Sequence, residues 1–298
     1  MSEGNLGSSK QELTALRATR YINNLLIGPD AWEPLPSLSW NGTLWSSDRS
    51  IEISYPSDGQ TATDSTSPGW WFEARASLVD RYLGCTGPHR SIWDVGGGGG
   101  VMAECLRARG CAPVVVVEPM RSSARLAVPR ADAVFASAIE DIALPRGTLS
   151  AVLLLDVIEH LADPAALLDI VVPLIAETGV LIVTVPAHMS LWSEVDKASG
   201  HYRRYSRNLL QKTMENSALR VIAMRHVFAS MYLPAFVARR FGARKSPSEA
   251  LASDRRRLHP NKLVDRCLHY ATSMEGKLPA ALAPRFGTSL LAVARPRQ

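Results

Sequence analysis

Between residues 91 and 187 five apolar runs of strand length alternate with segments of helical character, and this alternation restricts the fold more than any other feature of the chain. The runs are SIWDV (91–95), APVVVVEP (112–119), DAVFASAI (132–139), SAVLLLDVI (150–158) and GVLIVTVPA (179–187). They are apolar almost throughout, not at alternate positions, which is the pattern of strands covered on both faces. Between them, VMAECLRARG (101–110), MRSSARLAVPR (120–130) and DPAALLDIVVPLI (163–175) read as helices, the last with Asp163 as cap and Pro164 at its first position. A further helix, SRNLLQKTMENSA (206–218), and two further strands, LRVIAMRHVF (219–228) and TSLLAVAR (288–295), complete the series. The expected architecture is α/β, a seven-stranded, mostly parallel sheet with helices on both faces.

Two regions stand outside this pattern. Residues 1–66 form an N-terminal extension and linker; they hold Trp32, Trp40 and Trp45, which argue against a disordered arm, and run into the turn-rich YPSDGQTATDSTSPG (55–69). Residues 230–286 form a helical, Arg-rich insertion before the last strand and tail at 287–298, too long for a hairpin turn and expected to act as a lid over the strands' carboxyl edge. The core is thereby placed at 67–229.

Charge and cysteine content exclude some functions. The net charge of +5 comes largely from pieces such as ARRFGARK (238–245) and DRRRLHPNK (254–262), which read as a solvated arginine-rich surface. No basic tract with interleaved aromatics favours nucleic acid. Cys85, Cys105, Cys111 and Cys267 lack CxxC or Cys/His ligand spacing, so neither a disulfide framework nor a metal site is expected. No secretory h-region opens the sequence, and VIAMRHVFASMYLPAFVARRF (221–241) is interrupted by Arg225, His226 and Pro234; the expected setting is cytoplasmic. Peripheral membrane contact and homo-oligomerisation are left open.

The first strand runs straight into five glycines, Gly96 to Gly100, and then into a helix. Such a turn aims backbone N–H groups and the positive end of a helix dipole at a ligand that comes close to the chain. A dinucleotide frame, G-x-G-x-x-G, does not fit directly after the strand, because its third glycine would fall on Val101 or Met102. The frame that fits is Asp94-x-Gly96-x-Gly98-x-Gly100. No Lys-Ser/Thr follows, which excludes a P-loop. Glu118 closes the next strand, where a carboxylate can accept hydrogen bonds from both hydroxyls of a ribose; this suits an adenosine ligand, S-adenosylmethionine (SAM) and NAD alike.

The D-x-G-x-G-x-G frame resembles the first motif of class I SAM-dependent methyltransferases, and LLLDVIEHLADP (153–164) resembles the D-V-x-E-H-x-x-D-P signature after their fourth strand. PGWWFEARASLVDRYL (68–83) and VPAHMSLWSEVDKASGHYRRYS (185–206) are similar to the FWFxxRxxxI and VPAxxxLWSxxDxxxGHxRRY segments of one bacterial group, in which ISYP (53–56) and GTSLLAVAR (287–295) also recur. The likeness covers roughly residues 50–230 and the last strand. It implies a Rossmann-like fold with SAM as cofactor and S-adenosylhomocysteine as its product. Asp94, Gly96, Gly98 and Gly100 would then meet the methionine end together with Asp156, Glu118 the sugar, and Ile139 with Glu140 or Asp141 the adenine. The implied reaction is methyl transfer to O, N or C of a small-molecule acceptor, such as a secondary metabolite, a sugar or a lipid-linked intermediate. A nucleic-acid methyltransferase is the alternative, but the Asn/Asp-Pro-Pro-aromatic motif is missing after the fourth strand; an NAD-dependent oxidoreductase is disfavoured by the glycine frame.

Should the acceptor need to lose a proton, bases would come from the segment after the fifth strand: His201 first, then His188, Asp196 and Glu194. The same segment could instead lock itself through Asp196 and Arg203 or Arg204. Trp70, Trp71 and Phe72 read as core or as part of an acceptor pocket.

Overall fold

The computed structural model describes residues 3–26, 32–47, 68–84, 91–111, 113–241, 246, 249, 261–278 and 284–297. The ISYP match, most of the turn-rich linker and the basic DRRRLHP run lie outside them.

The sequence-predicted strands form at the expected places: β3 (Ile92–Val95), β4 (Val114–Val117), β5 (Ala133–Ala136), β6 (Leu149–Leu155), β7 (Ile175–Pro186), β8 (Leu219–Val227) and β9 (Ser289–Pro296). The sheet nevertheless has nine strands, not seven, in the order β1-β2-β5-β4-β3-β6-β7-β9-β8. The added pair is a hairpin of β1 (Leu38–Trp40) and β2 (Trp45–Ser47), whose second strand joins the free edge of β5 in parallel, Trp45 opposite Phe135. Three-residue strands leave no periodic signature; what holds them is aromatic packing. Trp45 stacks on Phe135 at 6.4 Å between centroids, and Trp32 meets both rings edge-on while its indole N–H donates to the Ile142 carbonyl at 2.6 Å. From β2 across to β7 neighbouring strands are parallel; β9 runs antiparallel between β7 and β8.

Successive side chains of a strand point to opposite faces, and an all-apolar strand therefore feeds two cores. Val115 and Val117 join one cluster with α1 (Glu3–Leu25), the hairpin, α5 (Pro164–Val171) and α7 (Arg207–Asn216), while Val114 and Val116 join the other with α2 (Trp70–Gly84) and α3 (Val101–Ala108). Each fully buried valine of this kind contributes on the order of 1.5–3 kcal/mol of transfer free energy. The short α4 (Arg121–Ala127) links β4 to β5. Asp163 caps α5 by accepting from Ala165 N–H at 3.0 Å, as its position before Pro164 predicts. That helix stops four residues earlier than expected, because Pro173 cannot continue it, and Ile175 already belongs to β7.

Within the insertion, α8 (Tyr232–Phe241) lies against the turn after β7, and α9 (Lys262–Lys277) packs on α2, where Asp265 accepts from the Trp70 N–H at 3.1 Å. No helix among the described residues is long and apolar enough to cross a membrane.

Candidate active site at the carboxyl edge of the sheet

Parallel strands bring their carboxyl ends to one edge, and there the backbone leaves its ordinary conformations. Gly96 after β3 has φ of 76°, and three non-glycine residues follow suit: Asp156 after β6 (56°), His188 after β7 (60°) and Phe228 after β8 (60°). A left-handed backbone costs an L-residue roughly 1–2 kcal/mol, so such residues persist only where their surroundings hold them. The edge is a row of sharp exits.

In the glycine turn the N–H of Gly96 donates to the Val117 carbonyl at 2.8 Å, tying the turn to the neighbouring strand. A Cβ on Gly96 would stand 2.7 Å from Val157, and one on Gly100, which precedes α3 with φ of 75°, would stand 2.9 Å from the Cα of Ala127. Both positions need glycine for conformation and for space. Glu118, buried at the end of β4, accepts from Gly98 N–H at 2.9 Å through one carboxylate oxygen and from Met120 N–H at 2.8 Å through the other. Burial raises its pKa against those two hydrogen bonds. Each oxygen retains acceptor capacity for a further donor.

Two opposite charges stand beside this turn. Asp94 is buried and its Oδ2 has no hydrogen-bond partner. Burial pushes its pKa up to about 7, with Arg75 working against the rise and Glu118 adding to it. Arg75, only 4% exposed, reaches in from α2 with its guanidinium 3.6 Å above the Trp71 ring and forms an ion pair with Asp156. Its Nε is buried and unpartnered. Asp156 also accepts from the Thr184 hydroxyl at 3.1 Å.

A second group forms where the segment after β7 folds over the turn Ile158–His160. Asp196, fully buried, accepts from Ser193 N–H (2.8 Å), from Arg204 Nε (2.6 Å) and lies 3.1 Å from His201 Nδ1. Burial would raise its pKa, but the His201 hydrogen bond and Arg204 outweigh it and hold the carboxyl at about 2. The lock thus uses Arg204; Arg203 instead donates to the Ala162 carbonyl. Tyr202 N–H donates to the Glu159 carbonyl at 2.8 Å, and the His160 and His201 rings meet edge to face at 4.7 Å. Burial and the nearby His201 pull His160 down to about 4.

His188 lies apart from His201. Its ring stacks on His226 at 4.8 Å and 6° between planes, with Tyr232 of α8 edge-on at 5.2 Å. His188 Nε2 and His226 Nδ1 are buried and make no hydrogen bond. Burial pulls His226 down to about 4, helped by His188, and lowers His188 as well. Phe228 stacks on Trp71, and Phe286 touches Tyr232. Trp70 and Phe72 are core, whereas Trp71 is half-buried beneath Arg75. On the β5 side Ile139 is buried, Glu140 exposed and Asp141 buried in the turn Ile139–Ile142.

Sequence reasoning did not single out Arg75, Glu159 or His226 for a role. Arg75 is the arginine of the FWFxxRxxxI likeness, and that was its signal; His226 carries none, since only the packing of β8 against the exit of β7 brings it to His188.

The family model described as a methyltransferase domain matches residues 70–227, more than half of the chain, and the protein belongs to that family. The fold is similar to that of a SAM dependent methyltransferase from Archaeoglobus fulgidus (16% identity, TM-score 0.50, 75% of this chain and 93% of that one). It is also similar to the plantazolicin methyltransferase BpumL, solved in complex with SAH (13% identity, TM-score 0.50, 80% and 88%). Among curated proteins no sequence matches. The architecture is that of a class I methyltransferase.

Proposed function

We propose that this protein transfers a methyl group from SAM to an O, N or C atom of a small-molecule acceptor. The observation that carries the reading is a pair of buried atoms of opposite character beside the glycine turn that lack a hydrogen-bond partner, Asp94 Oδ2 and Arg75 Nε. A zwitterionic amino-acid end needs both: an acceptor for its ammonium and a donor for its carboxylate. The left-handed turn through Gly96, Gly98 and Gly100, and the residual acceptor capacity of Glu118, suit the rest of an adenosyl amino acid, with Ile139 and Glu140 on the adenine side and Asp156 steadying Arg75. When bound, SAM supplies the activated methyl group. The protein's share is to bind, align and exclude water.

For an acceptor that must lose a proton, His188 is the base this arrangement favours over His201 and Asp196. Its Nε2 is uncommitted, its lowered pKa keeps it neutral at pH 7, and Trp71, Phe228, Tyr232 and Phe286 offer apolar walls nearby. His201 and Asp196 are engaged with one another and with Arg204. Residues 67–229 and 287–298 serve as the SAM-binding core, and 230–286 as the cover of the acceptor side.

Calorimetry with SAM, S-adenosylhomocysteine and NAD tests the cofactor: tight binding of the first two, weakened at least tenfold by Asp94→Asn, is expected, and binding of NAD alone overturns it. Transfer of labelled methyl to a small-molecule extract and not to nucleic acid is the expected outcome for the acceptor.

A further inference from the structure

Among the described residues Glu159 is a carboxyl with both side-chain oxygens buried and unpartnered. Its side chain is completely buried, and neither carboxylate oxygen accepts a hydrogen bond from another residue. A carboxyl buried in this state keeps its proton, and ionising it costs several kcal/mol unless something with positive character meets it. The guanidiniums that act on it electrostatically, Arg75 and Arg204, are committed to Asp156 and Asp196, so neither is left as the counter-charge of an ionised Glu159.

We infer that Glu159, His160 and His201 form a binding site for a divalent transition-metal ion, with zinc the best-suited representative. One ligand atom from each of the three lies within 4.8 Å of the other two. An ion at their centre would stand at most about 2.8 Å from each, so movement of less than about 1 Å reaches the 2.0–2.2 Å of zinc–nitrogen and zinc–oxygen bonds. Glu159 is fixed by burial, whereas the two histidines are only partly buried and can close on the ion and admit it from the solvent side.

Two features set this apart from a chance meeting of polar residues. His201 Nδ1 is held at 3.1 Å by Asp196, which leaves the other ring nitrogen to serve as the ligand; a carboxylate behind a coordinating histidine is the usual second layer of zinc sites. Tyr202 N–H bound to the Glu159 carbonyl ties the two contributing segments together, so the set is assembled by the fold before any ion arrives. Two imidazoles and one carboxylate leave coordination positions open, as in catalytic zinc and non-haem iron centres. The set has no compact spacing in the sequence because its members come from the exit of β6 and the loop before α7.

The site does not depend on the proposed reaction, and its test is a binding measurement. Tag-free, full-length protein is stripped with chelator, titrated with Zn²⁺ in a calorimeter and followed by thermal unfolding. The expected result is saturation near one ion per chain and a rise in Tm, with affinity weakened tenfold or more by Glu159→Gln and by His201→Gln; Asp196→Asn should weaken it about 10–100-fold through loss of the second layer. Zinc binding that is absent, or equal in the wild type and both ligand variants, overturns the inference. SAM affinity, measured on the same preparations, separates this outcome from failure of the methyltransferase reading: a chain that binds SAM but not zinc refutes the metal site alone.

Discussion

Asp94 makes the stability of the cofactor-free protein fall as pH rises. Its carboxyl is buried with one oxygen unpartnered, and burial pushes its pKa from 3.8 to about 7. Between these values the folded chain keeps a proton that the unfolded chain has released, so raising the pH favours unfolding. At 1.36 kcal/mol per unit, the displacement corresponds to a loss of up to about 4 kcal/mol between pH 4 and pH 8. Asp94→Asn holds a group of the same shape that does not ionise. The difference in unfolding free energy between variant and wild type should therefore grow with pH in favour of the variant, levelling off above pH 7. Urea unfolding of both proteins at half-unit pH intervals reads it directly, since all other titrations cancel in the difference. Saturating SAM should narrow the variant's advantage at pH 8 without abolishing it, because its ammonium pairs with the wild-type carboxylate and not with the amide. A charge-assisted hydrogen bond of about 1.5–3 kcal/mol makes the loss of affinity about ten- to hundredfold. A pH-independent difference between the two cofactor-free proteins would falsify the reasoning.

Gly100→Ala should lose about 1–2 kcal/mol for its left-handed backbone, and more from the approach of its Cβ to 2.9 Å of the Ala127 Cα; a smaller loss in denaturant unfolding would show that the start of α3 can shift. Trp32→Ala removes a fully buried indole and its bond to the Ile142 carbonyl and should cost about 3–5 kcal/mol, whereas an N-terminal segment that merely leans on the core would leave Tm nearly unchanged. His188→Gln should lower kcat about a hundredfold or more with SAM affinity intact, for an acceptor that needs a base; an equal fall in both would assign His188 to cofactor binding instead. In the wild type this step should stay fast somewhat below pH 6.5, since the lowered His188 pKa keeps the ring neutral there.

The alternation of apolar runs carried β3 to β7 and the helices between them, because a strand buried on both faces has no other way to read than apolar at every position. The glycine turn was legible for the same kind of reason: Gly96 and Gly100 occupy backbone and space that no other residue accepts without strain. The hairpin was not. Three residues are too few for a period, and β2 finds its place only because Trp32 and Trp45 close over Phe135 at an edge that does not exist until β5 is in the sheet. Likewise Asp196 was visible as a partner for Arg203 or Arg204, yet the direction in which each arginine leaves the chain was needed to choose Arg204. Local composition thus determined the layers and the edge at which ligands gather. Tertiary structure alone decided which charges there are compensated and which, such as Asp94, Arg75 and Glu159, keep buried atoms unpartnered, since desolvation is a property of the packed surroundings and not of the chain.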